Sequence, residues 1–152
     1  MGERKQRAID DGDNEVGKIR QSLYRNVIEK SKKAEESGYY LEAITLYESM
    51  ITDRLESALT KVTGENYGFM TLGQLIPLVK KHMPGSVLEK LMTDELDPWR
   101  VKRNNSLHGM AKLPEGETKR FEDEYSKCKD HCAEGKAIFR AIDREVSKIK
   151  AK

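Results

Sequence analysis

The stretch "RVKRNNSLHGMAK", residues 100–112, holds four cations, two asparagines, a serine and one of three histidines in thirteen positions. Those side chains suit phosphodiester chemistry. A neutral imidazole such as His108 can take the proton from a ribose 2′-hydroxyl, and its charged form can return one to the leaving oxygen. The guanidinium of Arg103 can hold the phosphate charge with a bidentate fork. RNA supplies its own nucleophile in this scheme, so no metal ion is required.

The helix that must carry these groups is expected to open at Asp97-Pro98, an N-cap followed by proline at the first helical position. At 100° per residue, Trp99, Leu107, Met110 and Leu113 then gather on one core-facing side, and Arg103 falls among them. A guanidinium there must pair with an acid, bind an anion or leave the regular helix, because burying it alone costs several kcal/mol. Arg100, Asn104 and His108 form a separate, more polar i, i+4, i+8 column. Arg103 and His108 lie about 140° apart on a straight helix, so both reach one substrate only through the long arginine side chain, a bend or a second subunit.

Other candidates are weaker. In "CKDHC", Cys128, His131 and Cys132 could ligate a soft metal, but both cysteines continue an apolar stripe and there is no second ligand pair. Ordinary core cysteines beside an exposed His131 are the expectation. His82, next to Lys81 at a helix end, reads as a partner of the helix dipole. A Gly-rich phosphate loop, a nucleophile elbow and a histidine pair flanking a glutamate are all missing from the sequence.

Periodicity supplies the scaffold. Residues 1–14 are polar and patternless and read as a flexible leader, followed by a single domain over 15–152. Val16, Ile19, Leu23, Val27 and Ala34 mark a first helix that stops at Ser37-Gly38. Tyr40, Ile44, Tyr47, Ile51, Leu55, Ala58, Leu59 and Val62 mark a second, ending at Gly64. A short helix from Thr71 to His82 contains Pro77, which warns of a kink. "SVLEKLMTDEL" precedes the motif helix, which stops near Pro114 and Gly116, and a long last helix runs from about Thr118 to the end. With no strand-like alternation, the expected fold is all-α: an antiparallel bundle of four to five main helices.

The 152 residues are 37% hydrophobic and 36% charged with a net charge of +2, so both signs must be interleaved on the surface. Bulk charge therefore makes no case for nucleic acid. No apolar run approaches the roughly 20 residues needed to cross a bilayer, and the two cysteines form no disulfide framework, so a cytoplasmic location without membrane contact is expected.

"RNNSLH", Arg103 to His108, resembles the R-x-x-x-x-H signature of HEPN-domain proteins, with Asn104 at the polar position that commonly follows the arginine. "YYLEAITLYESMI", "TLGQLI" and the long last helix are similar to the family's layout, over approximately residues 15 to 150. The resemblance implies a helical bundle that dimerises around a shared cleft, and a metal-independent endoribonuclease of toxin–antitoxin or phage-defence type, without cofactor. It places Arg103 and His108 in catalytic positions and Asn104 in support. It also implies an acid from an earlier helix, for which Asp53 is the choice and Glu48 and Glu56 are rivals. An antitoxin or another defence-system protein is the implied partner. Met110 stands where toxins paired with nucleotidyltransferase antitoxins often carry tyrosine, which argues against modification at that position. Two other readings remain: a catalytically silent dimerisation or adaptor module, and a docking patch made of Arg100, Lys102, Arg103 and Lys112.

Overall fold

Glycine stops and hydroxyl caps divide the chain into six α-helices in the computed structural model, which describes residues 3–9, 15–113, 115–118 and 120–152. Helix α1 spans Glu15–Glu36 and α2 Tyr40–Thr63. Both end at a glycine in the left-handed region, Gly38 with φ 78° and Gly64 with φ 76°, where a Cβ would be strained. Helix α3, Leu72–His82, opens with a capping box between Thr71 and Gln74 and continues as helix through Pro77. Helix α4, Val87–Leu91, is capped by Ser86, whose hydroxyl accepts from the Glu89 N–H. Helices α5 and α6 span Asp97–Gly109 and Phe121–Lys150.

The expected new start at Asp97-Pro98 is corrected. Asp97 has φ −64° and ψ −45° and caps nothing; a π-helical turn over Met92–Leu96 fuses α4 and α5 into one continuous rod. The physical reason is Pro98. Its ring would collide with the carbonyl four residues back and it brings no N–H, so the preceding turn widens and the Asp97 N–H reaches Met92 O instead.

The core forms around α2, whose Ile44, Ile51, Leu55 and Leu59 are at most 1% exposed. Around them close Leu75 and Val79 of α3, Leu88, Met92, Leu96 and Trp99 of the continuous rod, and Cys128, Cys132, Ile142 and Val146 of α6. The fold is thus an all-α bundle. Helix α1 is antiparallel to α2 and to α6, and α5 is antiparallel to α6. Helices α2 and α6 run the same way, since the Tyr40 ring lies tilted against Tyr125 at 5.9 Å while Arg54 meets Asp143 at 2.8 Å.

Several expectations of burial fail, Val62 at the end of the α2 stripe among them at 46% exposed. Leu113, assigned to the core side of the motif helix, lies past its end and is 63% exposed. Ile19 and Leu23, in the first stripe, are 56% and 59% exposed and border a cavity of about 860 Å³ between α1, α2 and residues 6–8. Part of the expected leader, residues 3–9, lies against α2 and the α2–α3 connector, with the Arg7 side chain only 7% exposed. Residues 1, 2 and 10–14 of that leader, and Pro114 of the expected break, lie outside the described residues. Among the described residues no helix is long and apolar enough to cross a membrane.

Candidate functional site

Helix α5 is anchored by a tryptophan. Trp99 is 1% exposed and donates its indole N–H to His131 O at 2.8 Å, where Gly135 leaves room for the ring. One turn later Lys102 pairs with Glu134 at 3.6 Å, and a turn beyond that Ser106 Oγ and His131 Nδ1 lie 3.2 Å apart. These contacts to α6 fix the rotation of α5 about its axis.

That rotation sends Arg103 inward. Its Nη1 meets Glu48 Oε2 of α2 at 2.8 Å, with side-chain exposures of 18% and 21%. The guanidinium Nε is buried without a hydrogen-bond partner. Arg54 Nε is likewise buried without a hydrogen bond, although it forms an ion pair with Asp143 Oδ1 at 2.8 Å. Burial pushes the Glu48 carboxyl upward, and Arg103 pulls it back only in part.

The acid that answers Arg103 is therefore Glu48, a rival in the sequence reading, and the choice of Asp53 is corrected. Asp53 lies further along α2 and is engaged on the opposite flank: Arg20 Nη1 at 2.7 Å, the Tyr24 hydroxyl at 2.6 Å and Arg7 at 3.4 Å. Glu56 accepts the Met70 N–H at 2.8 Å and faces Arg7 at 3.8 Å. Eight residues put Glu48 and Glu56 about 80° apart on α2, and which of them meets Arg103 depends on where α5 crosses α2.

His108 is exposed, and among the described residues it makes no side-chain hydrogen bond or ion pair. Asn104 is half-buried with its amide likewise uncommitted among those residues. Arg103 and His108 thus share a helix while facing apart: one is tethered to α2, the other is open to solvent. Arg100 is held by Asp97 at 3.0 Å, so three of the four cations in a docking patch meet acids and Lys112 alone has none among the described residues. That surface is less basic than its sequence implies.

The "CKDHC" residues do not converge. Cys132 Sγ points to Glu35 at 3.2 Å, Cys128 Sγ to Glu124 O at 3.8 Å, and His131 to Ser106. Both cysteines are buried as expected, whereas His131 is half-buried and not exposed. A polar cluster that periodicity did not single out surrounds Glu35, which accepts from Tyr47 Oη at 2.7 Å and Cys132 Sγ at 3.2 Å and pairs with Lys136 at 3.4 Å. Burial pushes the Glu35 carboxyl up, but these three donors outweigh it and leave it below its ordinary value. His82 sits in the last turn of α3, edge-on to Tyr67 at 6.3 Å.

No family model, curated protein or solved structure matches the chain.

Proposed function

We propose that the chain is an endoribonuclease of HEPN type, acting without a metal ion as a homodimer whose two α5 helices meet over RNA. The observation that carries this reading is the contrast within one helix: Arg103 is oriented by Glu48 at 2.8 Å, and His108 five residues on is exposed and uncommitted among the described residues. An exposed imidazole can approach a ribose, and a tethered guanidinium can hold a phosphate without first being ordered. Because the two groups face apart, a second subunit is what brings an arginine and a histidine to one phosphate.

In the proposed reaction, neutral His108 takes the 2′-hydroxyl proton while O2′ attacks phosphorus. The P–O5′ bond breaks, and the leaving O5′ takes a proton from the charged His108 of the partner subunit. Arg103 and Asn104 bind the non-bridging oxygens as charge builds. The products are a 2′,3′-cyclic phosphate and a 5′-hydroxyl. Toxin or phage-defence activity in the cytoplasm, held in check by an antitoxin-like protein, is the biological setting that this chemistry fits.

One observation favours the silent module instead. The Arg103–Glu48 pair is the kind of contact that ties helices together whether or not chemistry follows. Expressing wild type, Arg103→Ala and His108→Ala in a bacterium separates the two. Toxicity and RNA cleavage in chelator by wild type alone support the ribonuclease, and intact RNA with normal growth in all three supports the adaptor.

A further inference from the structure

Residues 4–8 are held by contacts of an unusual kind for a polar strand of chain. The side-chain amide of Asn66 grips the Arg7 backbone at both ends: the Arg7 N–H donates to Asn66 Oδ1 at 3.1 Å, and Asn66 Nδ2 donates to Arg7 O at 3.0 Å. This is how a neighbouring β-strand would bind, with one amide replacing it. The Arg7 guanidinium then enters a pocket in α2, donating to Asp53 O at 3.0 Å and facing the Asp53 and Glu56 carboxylates at 3.4 and 3.8 Å.

The walls are shaped to the same occupant. A Cβ on Gly68 would stand 2.6 Å from Arg7 N, so only glycine lets the backbone lie this close. Phe69 next to it adopts φ 56°, a strained conformation for an aromatic residue, and its exposed ring lies 5.8 Å beneath Lys5 Nζ. Arg20 donates to Ala8 O at 2.6 Å and Arg4 to Asn66 O at 3.3 Å, closing both ends.

We infer that Asp53, Glu56, Asn66 and Gly68 form a peptide-reading slot for an extended, arginine-bearing segment of a partner protein, and that residues 4–8 are its resident occupant, displaced when the partner binds. The contacts that define the slot are to a backbone and a guanidinium, which any extended arginine segment offers. The resident is polar, with no large apolar side chain in residues 4–8, and Ile9 just after them is 51% exposed, so little apolar burial opposes release. Displacement would also uncover the cavity bordered by Leu23, Tyr24, Met50 and Phe69, an apolar shelf for whatever follows the arginine. A resident on the same chain competes at an effective concentration in the millimolar range, on the order typical of short tethers, so an incoming segment must outbid it. This inference stands whether or not the chain cleaves RNA.

The test uses a fluorescein-labelled peptide of residues 4–9, Arg-Lys-Gln-Arg-Ala-Ile, followed by anisotropy against the full chain. Full-length Arg7→Ala, whose own segment no longer fills the pocket, should bind the probe at least about tenfold more tightly than wild type. Adding Gly68→Val, or replacing the probe's second arginine by alanine, should abolish binding. Equal binding by wild type and Arg7→Ala, or binding indifferent to Gly68→Val, would overturn the inference. A second measurement needs no variant. The Arg7 amide of the wild-type chain should be protected from hydrogen exchange and lose protection under saturating unlabelled peptide; unchanged protection would likewise overturn it.

Discussion

Arg103 on α5 and Glu48 on α2 are joined at 2.8 Å, and this pair links the motif helix to the central helix of the bundle. Both groups are mostly withdrawn from water, so removing either leaves a charge without its partner. Glu48→Ala and Arg103→Ala should each destabilise the fold by about 1–3 kcal/mol, and a double-mutant cycle should return a coupling of about 1 kcal/mol or more. Urea denaturation of the four proteins checks this. Under the proposed activity Glu48 is a positioning residue, so Glu48→Gln should lower kcat for RNA cleavage more than it raises KM.

The two interhelical glutamates should respond oppositely to acid. Glu35 has a folded pKa below its unfolded one, so its stabilising contribution is present above the ordinary glutamate range and is lost as pH falls through the folded value. Glu48 is raised, so it becomes protonated at higher pH than an unfolded glutamate, and its neutral form is favoured by folding. The Glu35→Gln variant should therefore be less stable than wild type near neutrality, by about 1–2 kcal/mol, with the gap closing below the ordinary glutamate range. Side-chain carboxyl chemical shifts should show Glu48 titrating above Glu35. A reversed order would contradict the arrangement of donors described around each.

Gly135 faces the Trp99 ring so closely that a Cβ would stand 2.7 Å from Cζ2. The tryptophan cannot retreat, because it is 1% exposed and its N–H is bound to His131 O. Gly135→Ala normally gains helix propensity, but here overpacking should win and cost about 1–3 kcal/mol. Thermal unfolding with Trp99 fluorescence as the signal measures both the loss and the displaced ring.

Helix boundaries were legible because they are written in local chemistry: Gly38, Gly64, and the Thr71–Gln74 box each act within a few residues. The continuous rod through Pro98 was not, since a proline after an aspartate signals a start equally well, and only packing of Met92 and Leu96 on both sides keeps the helix going. The helical wheel flags Arg103 as a charge that must pair with an acid, bind an anion or leave the regular helix, and Glu48 supplies the acid. The wheel could not choose among Glu48, Asp53 and Glu56, because that choice depends on where α5 crosses α2. The slot around Arg7 left no apolar pattern at all; its signals are one asparagine, one glycine and two acids brought together by the fold.

Cys128 and Cys132 are fully buried, and burial together with the Glu35 contact pushes the Cys132 thiol up to about 12. At pH 8 its thiolate fraction should be on the order of 10³ lower than that of an ordinary cysteine. Iodoacetamide should label neither residue in the folded chain on the timescale that modifies a free thiol, and should label both after denaturation. Rapid native labelling of Cys132 would show that α6 opens locally.

His108 offers the sharpest separation between folding and chemistry. It is exposed, and among the described residues nothing holds its ring, so His108→Ala should change stability by no more than about 0.5 kcal/mol. Under the proposed activity, loss of this acid–base group should nevertheless reduce RNA cleavage by about 10²-fold or more. Arg103→Ala differs in kind, because it should lower stability and cleavage together through the vacated Glu48 contact. Melting temperatures and cyclic-phosphate yield, measured on the same preparations, distinguish the two patterns. Unchanged cleavage by a stable His108→Ala protein would remove the catalytic role, whereas cleavage lost at constant stability would assign the imidazole to the reaction itself.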